Sequence, residues 1–270
     1  MYPSSALGEF LRSRRARLRP EDVGLAGGYR RRRVAGLRRE ELAPLAGVSV
    51  GYYTRLEQGQ GPNVSAEVLD ALARVLRLDE TERDHLHRLA RAAQIREAAR
   101  PEVLRPAIRR IVEATTDVPA WAVGRRGDVL ARNDLAHALF TPFLEREEPL
   151  NFVRFDFLDP RARQSYGDWA AKCRDDVAYL QTSLGRFPTD EALAALVEEL
   201  RAVSAEFASM WREQPVSNCA TVTREHRHPE LGVLRLTSEL LRVPDDEGQG
   251  VVLFQPEPGS PEEGLLRRLA

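Results

Sequence analysis

The segment from Gly36 to Gly59 places the strongest constraint on the fold of this chain. Its apolar spacing predicts two short helices, 40–46 and 50–58, with Gly47 between them. Ser49 is placed to cap the second helix, and Gly59 marks its end. Two helices joined by a short turn that contains glycine are typical of a helix-turn-helix motif, although such pairs also occur in other helical proteins.

Three further helices are predicted around this pair, at 5–18, 65–76 and 79–94. Leu7, Phe10 and Leu11 fall near helical spacing in the first of them. Asp79 and Glu82 have the spacing of a capping box, in which each side chain satisfies a backbone N–H of the other. The sequence therefore predicts an all-α N-terminal domain of five helices, spanning residues 1–97.

The distribution of charge separates this region from the rest of the chain. Residues 1–100 contain 19 arginines against 13 acidic residues, a balance of +6, so the net charge of -1 leaves -7 for residues 101–270. A basic half joined to an acidic half indicates that one half contacts a polyanion. Because the N-terminal half also carries the helix pair, double-stranded DNA is the expected partner.

After a predicted linker at 98–106, which contains Pro101 and Pro106, the pattern changes. A helix at 107–116 precedes short strands at 120–123 and 129–131, joined by the hairpin signal Gly127-Asp128. Asn133 is placed to cap a helix, two long helices are predicted at 160–184 and 189–211, and strands return at 219–226, 231–243 and 250–255. Residues 107–270 are thus expected to form an α+β domain.

The first domain resembles the Xre/Cro-like repressors, and within that family its sequence is similar to that of the MmyB-like regulators. The matching segments are Gly36 to Gly59 in the first domain and, in the second, Asn133, Asn151 to Pro160, Tyr166 to Trp169 and His228 to Gly232. The resemblance implies a PAS-like second domain that senses small hydrophobic molecules. It also implies a homodimer on a two-fold related operator, since related regulators pair half-sites about one helical turn apart.

Candidate DNA contacts lie at the start of the second helix of the motif. We expect Val50, Gly51 and Thr54 to face the bases, because Tyr53 and Leu56 point inward to pack on Leu42, Leu45 and Val48. Tyr52, Arg55 and Arg39 are expected to bind phosphates, and Ser49 to fix the helix end. Arg30, Arg31, Arg32 and Arg33 form either a solvated loop or an arm that reaches phosphates or a minor groove.

The candidate ligand site consists of Trp121, Asn133, Phe152, Arg154 and Phe155. The aromatic residues either line a pocket or fill a core. Arg154, inside the aromatic run, would need a partner if buried, which Asp156 or a ligand carboxylate would supply. This arrangement suits a fatty acid or a similar amphiphile.

The alternatives to a ligand sensor in the second domain are an enzyme, a metal sensor and a protein-interaction module. An enzyme is not expected, since the chain has no nucleotide-binding or hydrolase signature, and Asp175-Asp176 and Glu198-Glu199 look like solvated faces. His226 and His228, with Cys219, match no standard zinc spacing, and His85 and His87 are expected on a helix surface. We therefore predict no catalytic residue, cofactor or metal.

The remaining alternative is an oligomerisation or protein-interaction module, which an apolar cavity would distinguish from a sensor. With neither a signal peptide pattern nor a long apolar run, the expected location is the cytoplasm, with no membrane contact.

Overall fold

The computed structural model describes residues 6–25, 36–60, 64–92, 102–144, 150–215, 220–243 and 248–269. The chain divides into two compact units. The first comprises Met1–Ala99 with the short segments Leu184–Asp190 and Arg212–Val216, and the second comprises the remainder. The predicted linker boundary does not anticipate these two short segments.

The first unit contains the five predicted helices. They are α1 (Ala6–Arg17), α2 (Arg39–Leu45), α3 (Val50–Glu57), α4 (Ala66–Val75) and α5 (Glu80–Ala92), with a 3₁₀ turn at Pro20–Val23. The expected all-α fold of this unit is confirmed.

Caps and a shared apolar core hold these helices. Ser65 accepts a hydrogen bond from the N–H of Val68, and Asp79 accepts one from the N–H of Glu82 at 2.8 Å. The largest fully buried side chains here include Phe10, Leu42, Tyr53, Leu56, Leu72 and Leu86. Two expectations are wrong: Leu45 is 41% exposed, and His85 is buried against the ring of Phe10 rather than lying on the surface.

The second unit is an α+β domain with a five-stranded antiparallel sheet. The strands are β1 (Ala120–Val123), β2 (Val129–Arg132), β3 (Thr221–His228), β4 (Gly232–Arg242) and β5 (Gly250–Pro256), in the order β2-β1-β5-β4-β3. The accompanying helices are α6 (Pro106–Ala114), α7 (Asp134–Leu144), α8 (Phe152–Leu158), α9 (Ala162–Ser165), α10 (Trp169–Arg186), α11 (Glu191–Val203), α12 (Ala205–Glu213) and α13 (Pro261–Leu266). The strands and the predicted fold class are confirmed.

Register aligns side chains across one face of this sheet. Trp121 pairs with Val252, which pairs with Leu240, so the three form a row. Val222, Ser238 and Phe254 form a second row in the same way. The opposite face holds Ala120, Ala122 and Val251, which pack with Val112 of α6.

The helical parts of this unit differ from the sequence prediction in two places. The stretch expected as one helix at 160–184 is α9 followed by α10, and the stretch expected at 189–211 is α11 and α12, separated at Ser204. Ser204 begins a new helix there, since its Oγ accepts a hydrogen bond from the N–H of Phe207 at 3.1 Å. No helix in the described part of the chain has the length and apolar composition to cross a bilayer.

Candidate DNA-binding helix and ligand cavity

The turn between α2 and α3 has the geometry that its sequence predicts. Gly47, which follows the C-cap residue Ala46 of α2, has a φ of 69°, a left-handed conformation that glycine adopts without strain. Ser49 then caps α3: its Oγ accepts a hydrogen bond from the N–H of Tyr52 at 3.1 Å. Residues at both ends of the turn, Gly47 and Ser49, therefore fix its conformation through local interactions.

One face of α3 is buried and the other is exposed to solvent. Tyr53 and Leu56 are buried, as expected. Val50 is 40% exposed, Gly51 and Arg55 are exposed, and Thr54 is partly exposed. A Cβ placed on Gly51 would meet nothing within 4 Å. The exposed face thus begins with small side chains at the N-terminal end of the helix, the end that enters the major groove in proteins of this type.

A buried carboxylate at the C-terminal end of α3 links this helix to arginines of α1 and α2. Glu57, at the end of α3, is fully buried and accepts hydrogen bonds from Nε of Arg15 and from Nε of Arg39, each at 2.7 Å. Burial by itself raises the pKa of Glu57, but the hydrogen bonds from Arg15 and Arg39 lower it below its usual value. Arg39, which is 38% exposed, therefore joins α2 to α3 while part of its guanidinium still reaches solvent. The predicted arm at Arg30, Arg31, Arg32 and Arg33 lies outside the described residues.

The second unit contains a cavity of about 110 Å³ between the sheet face described above and its helices. Aromatic and aliphatic side chains form most of its wall: Trp121, Val123, Phe140, Phe152, Tyr166, Tyr179, Val222, Leu240, Val252 and Phe254. A smaller hollow of about 20 Å³ shares Trp121, Phe140, Phe152 and Tyr166 and adds Phe155. The aromatic residues thus line open space as well as a core.

Ring contacts hold the aromatic wall in place. Trp121 stacks on Phe140 with ring centroids 4.5 Å apart, and Phe254 meets both rings edge-on. The indole N–H of Trp121 is buried and has no hydrogen-bond acceptor among the described residues. His226 also lines the cavity, and burial lowers its pKa to about 4, so it is neutral near pH 7.

One end of the cavity carries charged side chains. Nζ of Lys172 contacts both Asp176, at 2.6 Å, and Asp156, while Arg224 pairs with Asp175. Burial raises the pKa of Asp176 well above its usual value and Asp156 raises it further, against the opposing effect of Lys172. The same two carboxylates raise the pKa of Lys172, although burial opposes them.

The residues predicted for the ligand site divide into two groups. Trp121 and Phe152 line the cavity, and Phe155 lines the smaller hollow beside it. Asn133 lies elsewhere: its Oδ1 accepts from the N–H groups of Ala120 and Ala136, and its Nδ2 donates to the carbonyls of Thr115 and Val118. It caps α7, as expected, and joins it to the sheet.

Arg154, which the sequence predicts as a ligand-binding residue, is not buried and does not line the cavity. Asn151 caps α8 by accepting from the N–H of Arg154, so the aromatic run is helical, and the Arg154 side chain pairs with Glu199 while 37% exposed. Among the described residues, the cations that line the cavity are Lys172 and Arg224. The expectation that Asp175 and Asp176 are solvated is also wrong, since both line the cavity.

Sequence reasoning missed Lys172, Arg224 and the two aspartates because they come together only through the fold. One signal was present: Lys172 is the only lysine in a chain whose other 39 basic residues, His aside, are arginine.

His226 and His228 are both buried, but His228 accepts from the N–H groups of Glu230 and Leu231 in a turn. Cys219 lies outside the described residues. Among the residues that are described, no group of three or more His, Cys, Asp or Glu side chains could hold a metal ion.

Comparison with known families agrees with this division of the chain. The family described as "Helix-turn-helix domain" matches residues 6–86, and the family described as "MmyB-like transcription regulator ligand binding domain" matches residues 104–269. Both are families of regulatory DNA-binding and ligand-binding domains. A search of curated proteins gives no match. Because the second match covers more than half of the chain, this protein belongs to the MmyB-like transcription regulators.

Proposed function

We propose that this regulator binds a two-fold related operator as a dimer, with α3 in the major groove, and that a small, mostly apolar ligand in the cavity of the second unit alters its operator affinity. One observation carries the sensor half of the proposal. The aromatic side chains contact one another, as Trp121 and Phe140 do, yet they leave a cavity of about 110 Å³ beside them. An oligomerisation module has no need of such a cavity.

The exposed face of α3 supports the DNA half. Val50 offers methyl groups to a thymine, Gly51 allows the backbone to come close, and Thr54 offers a hydroxyl or a methyl group to a base edge. Arg55 and Arg39 lie where they can bind phosphates, which would set the register of the helix on DNA without selecting the sequence. Since one helix contacts few base pairs, we propose paired half-sites about one helical turn apart.

The size of the cavity limits the ligand. An engineered cavity of about 150 Å³ in another protein holds one benzene ring. The volume here is somewhat smaller. The cavity as it stands therefore holds about one ring, and it must open slightly for a short tether and much further for a long-chain fatty acid. The fatty-acid prediction also relied on Arg154, whose side chain pairs with Glu199 instead of facing the cavity.

The test uses operators selected from random DNA by the full chain and measures affinity in the presence of three probes. Each probe has a phenyl ring on a two-carbon tether, ending in an ammonium, a carboxylate or a hydroxyl group. We expect at least one of them to change operator affinity. Val222→Phe, which fills the cavity from β3, should abolish the response.

Val233→Phe is the matched control, because Val233 is 55% exposed on β4 and does not line the cavity. It should respond like the wild type. If no probe changes operator affinity, or if Val222→Phe still responds, the sensor proposal fails and the oligomerisation alternative replaces it. A footprint of one half-site bound by a stable monomer would refute the dimer.

A further inference from the structure

We propose that the cavity selects a ligand whose head group is a positively charged amine, because Lys172 at its charged end is shared by two buried aspartates. The inference rests on the proposed sensor function and narrows it to a chemical class: a small aromatic or aliphatic amine. It departs from the carboxylic acid that the sequence suggests.

The charge balance follows from the pairing around the cavity. Arg224 pairs with Asp175. Lys172 forms ion pairs with two aspartates, Asp156 and Asp176, and both of them are buried. His226 adds no positive charge, because its pKa of about 4 leaves it neutral near pH 7. Among the described residues, Lys172 is thus shared by two buried carboxyl groups, and we call the second of these, Asp176, the surplus carboxylate.

A ligand carboxylate would meet an unfavourable site here. To form an ion pair, it would have to displace one of the two aspartates from Lys172, or displace Asp175 from Arg224. Either exchange leaves a buried aspartate without its cation, which is strongly destabilising. A fourth carboxylate would also add to the repulsion among those present.

An ammonium group meets the opposite situation. It can donate charge-assisted hydrogen bonds to the surplus carboxylate, and these are stronger than bonds between neutral groups. The aromatic wall favours cations as well: Nζ of Lys172 already lies 5.0 Å from the ring centre of Phe152 and 5.6 Å from that of Tyr166. Trp121 and Tyr179 line the same space.

Proton exchange supports the same conclusion. The groups that face the surplus charge are Asp156 from α8, Lys172, Asp175 and Asp176 from α10, Arg224 and His226 from β3, and Tyr166. The pKa of Asp176 is raised by burial and by Asp156, so Asp176 keeps its proton to a higher pH than an exposed aspartate does. An arriving ammonium replaces that proton, which leaves Asp176 ionised and releases one proton to the buffer.

The test is calorimetry on the full chain with the same three probes, 2-phenylethylamine, 3-phenylpropionate and 2-phenylethanol. We expect the amine to bind about tenfold tighter than either of the others, the ratio that one charge-assisted hydrogen bond supplies. Titrations in buffers of different ionisation enthalpy should show protons released with the amine and none with the alcohol. The affinity of the amine should rise with pH up to the pH at which the probe itself loses its charge.

Asp176→Asn removes the surplus carboxylate with little change in volume and should reduce the preference for the amine by about tenfold. The control is Glu198→Gln, an exposed carboxylate on α11 that pairs with Arg201 and should leave the preference unchanged. Should Asp176→Asn fail to fold, proton release by the wild type still decides the question. Tightest binding of 3-phenylpropionate, or equal binding of amine and alcohol, overturns the inference while the sensor function stands. If none of the probes binds, both fail.

Discussion

Nε of Arg39 donates a hydrogen bond to Oε2 of Glu57 across 2.7 Å, and Glu57 is fully buried. The residue that we expect to bind a phosphate is therefore also a structural link between α2 and α3. Arg55, the other expected phosphate ligand on this face, is exposed. The two arginines consequently differ in what their removal should do.

Arg39→Ala and Arg55→Ala should both weaken binding to operator and to random DNA, and each should lower the slope of log K against log salt concentration by about one. Arg39→Ala alone should also lower the free energy of unfolding, by about 2 kcal/mol, because the buried Glu57 loses one charged donor. Salt-dependent binding and urea unfolding measure the two effects. A stability loss equal for both variants would contradict the distinct role of Arg39.

Gly51→Ala should separate stability from DNA binding. The new Cβ meets nothing within 4 Å and lies on a helix, so we expect the protein to become more stable by about 0.5–1 kcal/mol. The same methyl group would stand between α3 and the bases, so operator affinity should fall. Gly264→Ala, also in open space on α13, is the control and should leave DNA binding unchanged. Unchanged operator affinity in Gly51→Ala would mean that this end of α3 does not approach the DNA.

Thr54→Ala should alter the base preference at one position of each half-site, with little change in affinity for random DNA, because a base contact carries sequence information and a phosphate contact does not. Binding-site selection repeated with the variant measures the change. Equal losses on operator and random DNA would refute the proposed orientation of α3.

Stability should fall in acid through two buried histidines. Burial lowers the pKa of His85 in the first unit and that of His226 in the second to about 4. Both are neutral above pH 6.5 whether the chain is folded or not. Between about pH 6.5 and 4 only the unfolded chain gains the proton, so each histidine lowers the free energy of unfolding by up to about 3 kcal/mol across that range.

His85→Leu should remove the share of this pH dependence that belongs to the first unit, as measured by urea unfolding at pH 7 and pH 4.5. His137→Gln, at an exposed position, is the control and should retain it. An undiminished loss of stability in His85→Leu would place the effect elsewhere.

Asn133→Ala should be far more destabilising than Arg154→Ala, although sequence suggested a ligand role for both. Asn133 makes four hydrogen bonds to backbone groups, and losing them should cost about 3 kcal/mol. Arg154 forms a partly exposed ion pair with Glu199, which contributes less than about 1 kcal/mol. Thermal unfolding and probe binding measure both variants. Weaker probe binding in Arg154→Ala would contradict its place outside the cavity.

The first unit was predictable from sequence because its signals are local. Ser49, Ser65 and Asp79 each cap the helix that begins beside them, and Gly47 allows the turn. His85 was misplaced because a histidine on a charged helix looks solvent-facing until the helix packs against Phe10.

The cavity of the second unit was predictable only in part. Trp121 and Phe152 carry an aromatic signal in the sequence, but alternating aromatic residues also fit an extended segment, and only the cap at Asn151 makes that segment helical. Lys172, Asp156 and Arg224 lie on α10, α8 and β3, and nothing in their spacing along the chain indicates that they meet.

The position of Lys172 has a consequence for spectroscopy. Because it is the only lysine, reductive methylation with ¹³C-formaldehyde labels this single side chain and the N-terminal amine. A methylated lysine keeps its positive charge. The side chain lines the cavity and is 17% exposed, so its labelling should be slow and slower still when the cavity is occupied. One methyl resonance would then report the occupancy of the cavity directly, in the full chain and while it is bound to DNA.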